Sequence, residues 1–440
     1  MRRLKQSASD YLGKEVNAAV ISVPTNYTES QKAALTEAAK NAGIEVLQYI
    51  PEPIAALLAN DRRNVEKPVD KIVVVADLGG TRSDVAVVSI KGGMYSVLAV
   101  AHDYDLGGAK LDEVLMEHFA KEFIKKHKTD PRQNERSLAK LKLESEAVKK
   151  ALSLGNSAGF NVESLADGVD FSSTINRSRY DLLAGKVFAS FVRLIESTVE
   201  KANLDVLDVD DILLAGGTAH TPRIASNLQS HFPESTTVIA PATSANAINP
   251  SELIVRGAAL QAGLIEGFSP EDVEQSTHPA VTVTPHLSQA IGFVVNGEEF
   301  KPVIPAETPV PVRRTLQFTN ATEGSGILLR FAEGIREIKV TKPEPKAKSE
   351  KAPDADGEDA DDEDFDDEDE EEEDIREKVW KVGTVLGELA LKDAKKGSKI
   401  TVQVQVGADL EIQVSAMEVG AGKPGVRGVV PGNGQVNGVH

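Results

Sequence analysis

Lys71-Ile-Val-Val-Val-Ala-Asp77-Leu78-Gly79-Gly80-Thr81 is an apolar run that stops on paired glycines. Asp211-Ile-Leu-Leu-Ala-Gly216-Gly217-Thr218 repeats the pattern far down the chain. Each reads as a buried strand ending where the backbone turns tightly or lets a ligand approach closely. Alone, either pair is more often a simple tight turn than a binding loop. Together they are what a two-sided clamp on a polyphosphate requires.

Working outward, strand and helix patterns alternate around the first copy. Val16 to Val23 reads as a strand stopped by Pro24, and Thr28-Glu29-Ser30-Gln31 is a capping box opening a helix to Asn41. Glu45 to Ile50 is a short strand, and Glu52-Pro53 leads into an Ala/Leu-rich helix. After the first glycine strand, Asp84 to Ile90 and Tyr95 to His102 complete a three-strand meander. Helices are expected from Lys110 to Lys126, Glu135 to Leu152, Tyr180 to Ala202, Thr221 to Gln229 and Pro250 to Leu264, with a hairpin from Phe160 to Phe171 and a strand at Val238. This order predicts an α/β domain over residues 1–268.

The remainder differs in character. A polar linker (269–279) precedes short strand patterns over 280–341, which resume over 378–419 and predict an all-β sandwich. The intervening stretch, 342–377, has too little apolar content to fold and is expected to be disordered. Residues 420–440 form a Gly-rich tail expected to fray.

The formal net charge of −19 is local, not global. Asp354 to Asp374 carries seventeen acids and no base; without it, 51 acids face 49 bases. That segment is either a solvated loop or a device that repels RNA. The absence of cysteine excludes disulfide, thiolate-metal and thiol-nucleophile chemistry and is compatible with a reducing compartment. The eight histidines show no zinc spacing, and no metal ligand set is expected. No apolar run approaches a membrane span, and the basic start Met1-Arg2-Arg3-Leu4-Lys5 lacks the apolar stretch of a signal peptide.

Glu146, Lys149, Lys150 and Ser153, at helical spacing, share one face. It is either a solvated face or an adenosine slot, with Glu146 accepting from ribose hydroxyls and a lysine stem against the base.

Order and spacing then become specific. Val20-Ile-Ser-Val-Pro24, Pro51-Glu52-Pro53-Ile-Ala-Ala56, Asp77-Leu-Gly-Gly80, Leu106-Gly-Gly108, Leu213-Leu-Ala-Gly-Gly-Thr218 and Asn249-Pro-Ser-Glu252 through Arg256-Gly-Ala-Ala259 fall in one order. That order resembles the heat-shock protein 70 (DnaK-like) chaperones of the actin-like ATPase superfamily. Leu386-Gly387-Glu388-Leu389 and Leu410-Glu-Ile-Gln-Val-Ser415-Ala416 resemble the family's substrate-binding sandwich. The resemblance implies a partial actin-like ATPase domain followed by a β-sandwich, and ATP as cofactor with Mg possible. The implied nucleotide contacts are Asp77, Gly79, Gly80, Thr81, Arg82, Gly108, Glu146, Lys149, Lys150, Ser153, Gly216, Gly217 and Thr218.

Departures from the family pattern shift the expected activity. Thr81 and Arg82 replace the family's third glycine and water-placing threonine. Lys150 and His220 stand where the family has an arginine against the adenine, and Ser251 where an aspartate is usual. Glu271-Asp-Val-Glu-Gln275 is too polar to dock as the family's leucine-rich linker does. No helical lid follows the β part, and the chain starts past the family's first phosphate loop and its lysine, as an incomplete gene model or fragment would.

Loss of one preorganised group at a reacting centre costs about 10²–10³ in rate, so little or no hydrolysis is expected. These features, with Tyr11-Leu-Gly-Lys14 and Pro24-Thr-Asn-Tyr27, resemble the atypical branch of the family found in the fungal ribosome-associated complex. The branch implies a cytoplasmic co-chaperone paired with a zuotin-like J-domain protein. It would meet the ribosome indirectly, together with a ribosome-bound family member and nascent chains, and would use neither membrane nor DNA. A conventional ATP-hydrolysing chaperone is the alternative; a sugar-kinase-like member is disfavoured by the β part. Arg82 either locks bound ATP as an added cation or points to solvent.

Overall fold

Buried side chains alternate along the first glycine strand, and each set faces a different core. In the computed structural model, which describes residues 1–61, 69–269, 271–272, 286–295, 299–320, 326–341, 375–392, 396–419 and 425–430, the chain divides into two compact units, Met1–His286 and Leu287–Gln435.

The first unit contains α1 (Arg2–Leu12), β1 (Ala18–Val23), α2 (Glu29–Asn41), β2 (Glu45–Pro51), α3 (Glu52–Asp61), β3 (Lys71–Leu78), β4 (Ser83–Lys91) and β5 (Met94–Asp103). It continues with α4 (Gly108–His127), α5 (Glu135–Leu154), β6 (Ser157–Ala166), β7 (Val169–Asn176), α6 (Arg177–Leu183), α7 (Gly185–Lys201), β8 (Asp211–Ala215), α8 (Pro222–His231), β9 (Thr237–Ile239) and α9 (Leu253–Ile265). The central sheet runs β5-β4-β3-β8-β9. The meander β3–β4–β5 is antiparallel, whereas β8 lies parallel to β3 and β9 parallel to β8.

Ile72, Val74, Ala76 and Leu78 face a core filled from α4, α5, α7 and α8. Val73 and Val75 face the opposite core, where Leu57 of α3 and Leu253 of α9 pack. A sheet covered on both faces explains why β3 reads as a continuous apolar run. The capping box forms as its spacing predicts. Thr28 accepts from the Gln31 amide, and the Gln31 side chain accepts from the Thr28 amide.

Two elements differ from the sequence reading. The stretch expected as one helix from Tyr180 to Ala202 is two, separated at Ala184. Helix α1 has no predicted counterpart. It is held to the C-terminal end of α2 by Arg2 donating to the Asn41 carbonyl (3.0 Å) and Lys5 to the Gly43 carbonyl (2.9 Å), so polar contacts to helix-end carbonyls fix it rather than an apolar stripe.

The second unit comprises β10 (Ala290–Val295), β11 (Glu299–Ile304), β12 (Val312–Thr319), β13 (Gly326–Thr341), β14 (Ile375–Lys392), β15 (Lys399–Val406), β16 (Ile412–Glu418) and β17 (Val426–Val430). Two four-stranded sheets, β11-β10-β13-β14 and β12-β15-β16-β17, enclose one core in which Phe293, Phe331 and Leu389 meet Val402, Val404 and Val414. The architecture is an actin-like ATPase domain followed by a β-sandwich. β13 and β14 form one long ladder, from Gly326 opposite Lys392 to Thr341 opposite Ile375. The acidic segment Asp354 to Asp374 and most of the polar linker lie outside the described residues. The expected fraying of the tail does not extend to β17, which pairs with β16 through Ala416↔Val426 and Ile412↔Val430. Among the described residues no helix is long and apolar enough to cross a membrane.

Candidate functional site

Parallel pairing of β3 with β8 brings both glycine turns to the same sheet end, since Asp77 is the register partner of Ala215. A third pair, Gly107–Gly108, joins them at the start of α4. The Gly108 amide donates to the Gly79 carbonyl (3.0 Å), the Ala109 amide to the Gly80 carbonyl (2.7 Å), and Thr218 Oγ1 to the Gly79 carbonyl (2.8 Å). Loops 139 positions apart are thus clasped directly.

The glycines divide by what a side chain would meet. A Cβ at Gly79 would fall 2.7 Å from the Arg82 carbonyl, at Gly107 2.7 Å from the Gly80 carbonyl, and at Gly108 2.7 Å from Thr218 Oγ1. A Cβ at Gly216 would strike the Leu78 carbonyl and Asp77 Oδ1. These four are glycine because the loops pack on one another. Gly80 is different: a Cβ there meets nothing within 4 Å, and at Gly217 only Ser251 Oγ at 3.9 Å. Both residues are exposed, so at these two positions packing does not demand glycine and the backbone is open to close approach.

The helical face of α5 divides as well. Lys150 is exposed and pairs with Glu146 at 2.8 Å, a partnership that lowers the Glu146 pKa. Ser153 donates to the Lys149 carbonyl at 3.3 Å. Lys149 does not join the solvated face. Its ammonium turns inward to Asp112 (2.8 Å) and donates to the Gly108 carbonyl (3.0 Å), tying α5 to the third glycine pair. Both partners are nearly buried, with side-chain exposures of 12% and 7%. Removing one charge of such a pair strands the other. Lys149→Met is therefore expected to cost about 3 kcal/mol in urea unfolding, and Asp112→Leu on that background to recover much of it. His220 lies on the other side, its Nε2 3.2 Å from Asn249 Oδ1 and 3.3 Å from Ser251 Oγ.

Sequence reasoning named Asp77 and Arg82 but missed Glu52, Asp84 and His102, with which they form the most charged part of the site. Asp77, Asp84 and His102 form a row of register partners across β3, β4 and β5, on the face covered by α3 and α9. Glu52, the first residue of α3, joins them. Carboxylate oxygens of Glu52, Asp77 and Asp84 lie within 4.8 Å of one another and border a small cavity also lined by Thr25, Pro53, Val75 and Ile254. One signal was available: Asp77 and Asp84 lie symmetrically about the turn, so an antiparallel hairpin must oppose them. Directly opposed like charges are unfavourable. Arg82 relieves them, with Nε 2.8 Å from Asp84 Oδ2 and Nη2 3.7 Å from Glu52 Oε2. His102 Nδ1 contacts the other Asp84 oxygen.

Burial, then repulsion from Asp77, raises Glu52 to about 7 against the pull of Arg82. Burial, then repulsion from Asp84, raises Asp77 to about 6, again against Arg82. Acids raised on folding bind protons more tightly folded than unfolded. Their contribution to stability is full below the unfolded values and is lost as pH rises through about 6 to 7. The urea midpoint of the first unit should therefore fall between about pH 5 and about pH 8, and the fall should shrink in Glu52→Gln/Asp77→Asn. An undiminished fall in that variant would place its origin elsewhere.

A family model described as Hsp70 protein matches residues 1–344. The chain is 42% identical to ribosome-associated complex subunit SSZ1 of Saccharomyces cerevisiae over 96% of its own length and 76% of that protein. It is 41% identical to a heat shock protein 70 homolog of Schizosaccharomyces pombe, over 97% of this chain and 74% of the other. With heat shock 70 kDa protein 14 of Danio rerio the identity is 35%, over 78% and 68%. On these likenesses the chain belongs to the heat-shock protein 70 family.

Proposed function

We propose that this chain is an ATP-holding co-chaperone that hydrolyses ATP slowly or not at all. It pairs with a J-domain protein in a cytoplasmic ribosome-associated complex, serving nascent chains alongside a ribosome-bound family member. The observation that carries the reading is the pair of open-faced glycines, Gly80 and Gly217, set among four others whose loops pack together. Packing accounts for the four and leaves the open pair free to admit a phosphate chain. Glu146 and Lys150 border the same side of α5 and suit a ribose and base. Thr81 and Arg82, in place of a glycine and a small hydroxyl, favour holding over turnover. Likeness to a ribosome-associated complex subunit supports the partner assignment.

The test separates packing from binding. Gly80→Ala and Gly217→Ala should change the urea midpoint little while weakening ATP binding at least about tenfold in calorimetry. Unchanged affinity in both would remove the phosphate reading. Single-turnover assays should show hydrolysis at or near background, and capture from extract should recover a J-domain protein with ribosomes. Broad recovery of unfolded clients released by ATP would instead favour a conventional hydrolysing chaperone.

A further inference from the structure

The acidic trio below the turns is the natural place for a divalent cation. Magnesium requires near-octahedral oxygen coordination and usually takes one or two carboxylates, completing its shell with water and phosphate oxygens. Glu52, Asp77 and Asp84 are close enough to offer such ligands. They do not fit one in this chain, because a side chain of the chain already serves them.

Arg82 enters the trio from the turn and spans two of its members, contacting Asp84 at 2.8 Å and Glu52 at 3.7 Å. Both oxygens of Asp84 already have a partner, Arg82 at Oδ2 and His102 at Oδ1. Two thirds of the Arg82 side chain is covered, with 32% exposure remaining, so it lies neither free in solvent nor extended beyond the loop. Its guanidinium is charged at every accessible pH and is weakly hydrated. A hydrated divalent ion would meet that charge at close range and would have to compete with Arg82 and His102 for Asp84.

We propose that Arg82 is the resident cation of this pocket, held where a divalent ion would otherwise sit, so that the chain binds its ligand without a divalent metal. The exclusion of metal stands on the geometry of the trio alone; the identity of the ligand rests on the nucleotide reading above. In this arrangement Arg82 acts on a polyanion indirectly. It neutralises carboxylates that would otherwise repel the anion, rather than gripping the anion itself. The raised affinities of Glu52 and Asp77 for protons agree with a trio that one arginine only partly balances.

The experiment has a metal arm free of nucleotide. Manganese is titrated into the full chain and followed by electron paramagnetic resonance. The wild type should take up no ion at this site, whereas Arg82→Gln should bind one at least about tenfold more tightly, an affinity lost again in Arg82→Gln/Glu52→Gln. Arg82→Lys, which keeps the charge, should behave as wild type and guards against a variant that fails to fold. Wild-type uptake that Arg82→Gln leaves unchanged would overturn the proposal, as would Arg82→Gln remaining as inert as wild type. In the nucleotide arm, wild-type ATP affinity should agree within about twofold between magnesium and EDTA, and a tenfold loss in EDTA would overturn the claim. No ATP binding in either buffer would count against the proposed function, leaving the manganese arm to decide on Arg82.

Discussion

Gly257→Ala is expected to destabilise the first unit by at least about 3 kcal/mol. Gly257 lies in α9 where it crosses α3, and a Cβ there would fall on the Ala55 backbone, striking its carbonyl and Cα. Neither helix can yield by a rotamer change, because the obstacle is main chain. The helices must separate, opening the small core in which Ala55, Ala258 and Ile50 pack. Alanine has the better helix propensity by about 1 kcal/mol, so a net loss would isolate the steric term. Because α3 begins at Glu52, the same separation would move one carboxylate of the trio. Urea unfolding checks the first effect. A variant as stable as wild type would show that the two backbones are not in contact.

Gly216→Ala is expected to be nearly as damaging, for two reasons that add. Gly216 has φ 83° and ψ 163°, a region that is essentially glycine-only and costs an L-residue about 1–3 kcal/mol. The added methyl would also collide with the Leu78 carbonyl and Asp77 Oδ1. We expect a loss of about 3 kcal/mol or more. ATP binding should fall with it, because the turn cannot hold its shape. Gly217→Ala, one residue on, should instead spare stability. If the two variants unfold alike, the division between packing and open glycines is wrong.

What the sequence disclosed depended on how local the signal was. The capping box of α2 and the run of β3 depend on neighbouring residues, and both are found where pattern places them. The acidic trio depends on strand register and on the approach of α3, so Glu52 and His102 could not be joined to Asp77 by spacing. Lys149 was misplaced for the same reason. Helical spacing puts it on a face with Glu146, but spacing does not show that Asp112 of α4 lies behind it. In β17, glycine hides a true alternation. Val426, Gly428 and Val430 turn inward, and Gly428 is small because Leu389 lies against it. Arg82 gave the sharpest difference. Sequence offered a phosphate contact or solvent, and the structure supplied a third environment, the trio itself.

Parallel pairing of β3 and β8 carries a cost in time. The Ile72 amide donates to Asp210, 138 positions later, and the β3–β8 ladder follows at the same separation. At about 5–20 residues per second of synthesis, β3 waits roughly seven to twenty-eight seconds for the strand that completes it. Throughout that interval one edge of a very apolar strand stays unpaired, a ready template for wrong partners. Chains halted on the ribosome before Asp211 should therefore exchange the β3 amides that face β8 rapidly, and chains halted well beyond Ala215 should protect them. On this account the emerging chain needs guarding over that window, as other slow-forming parallel sheets do.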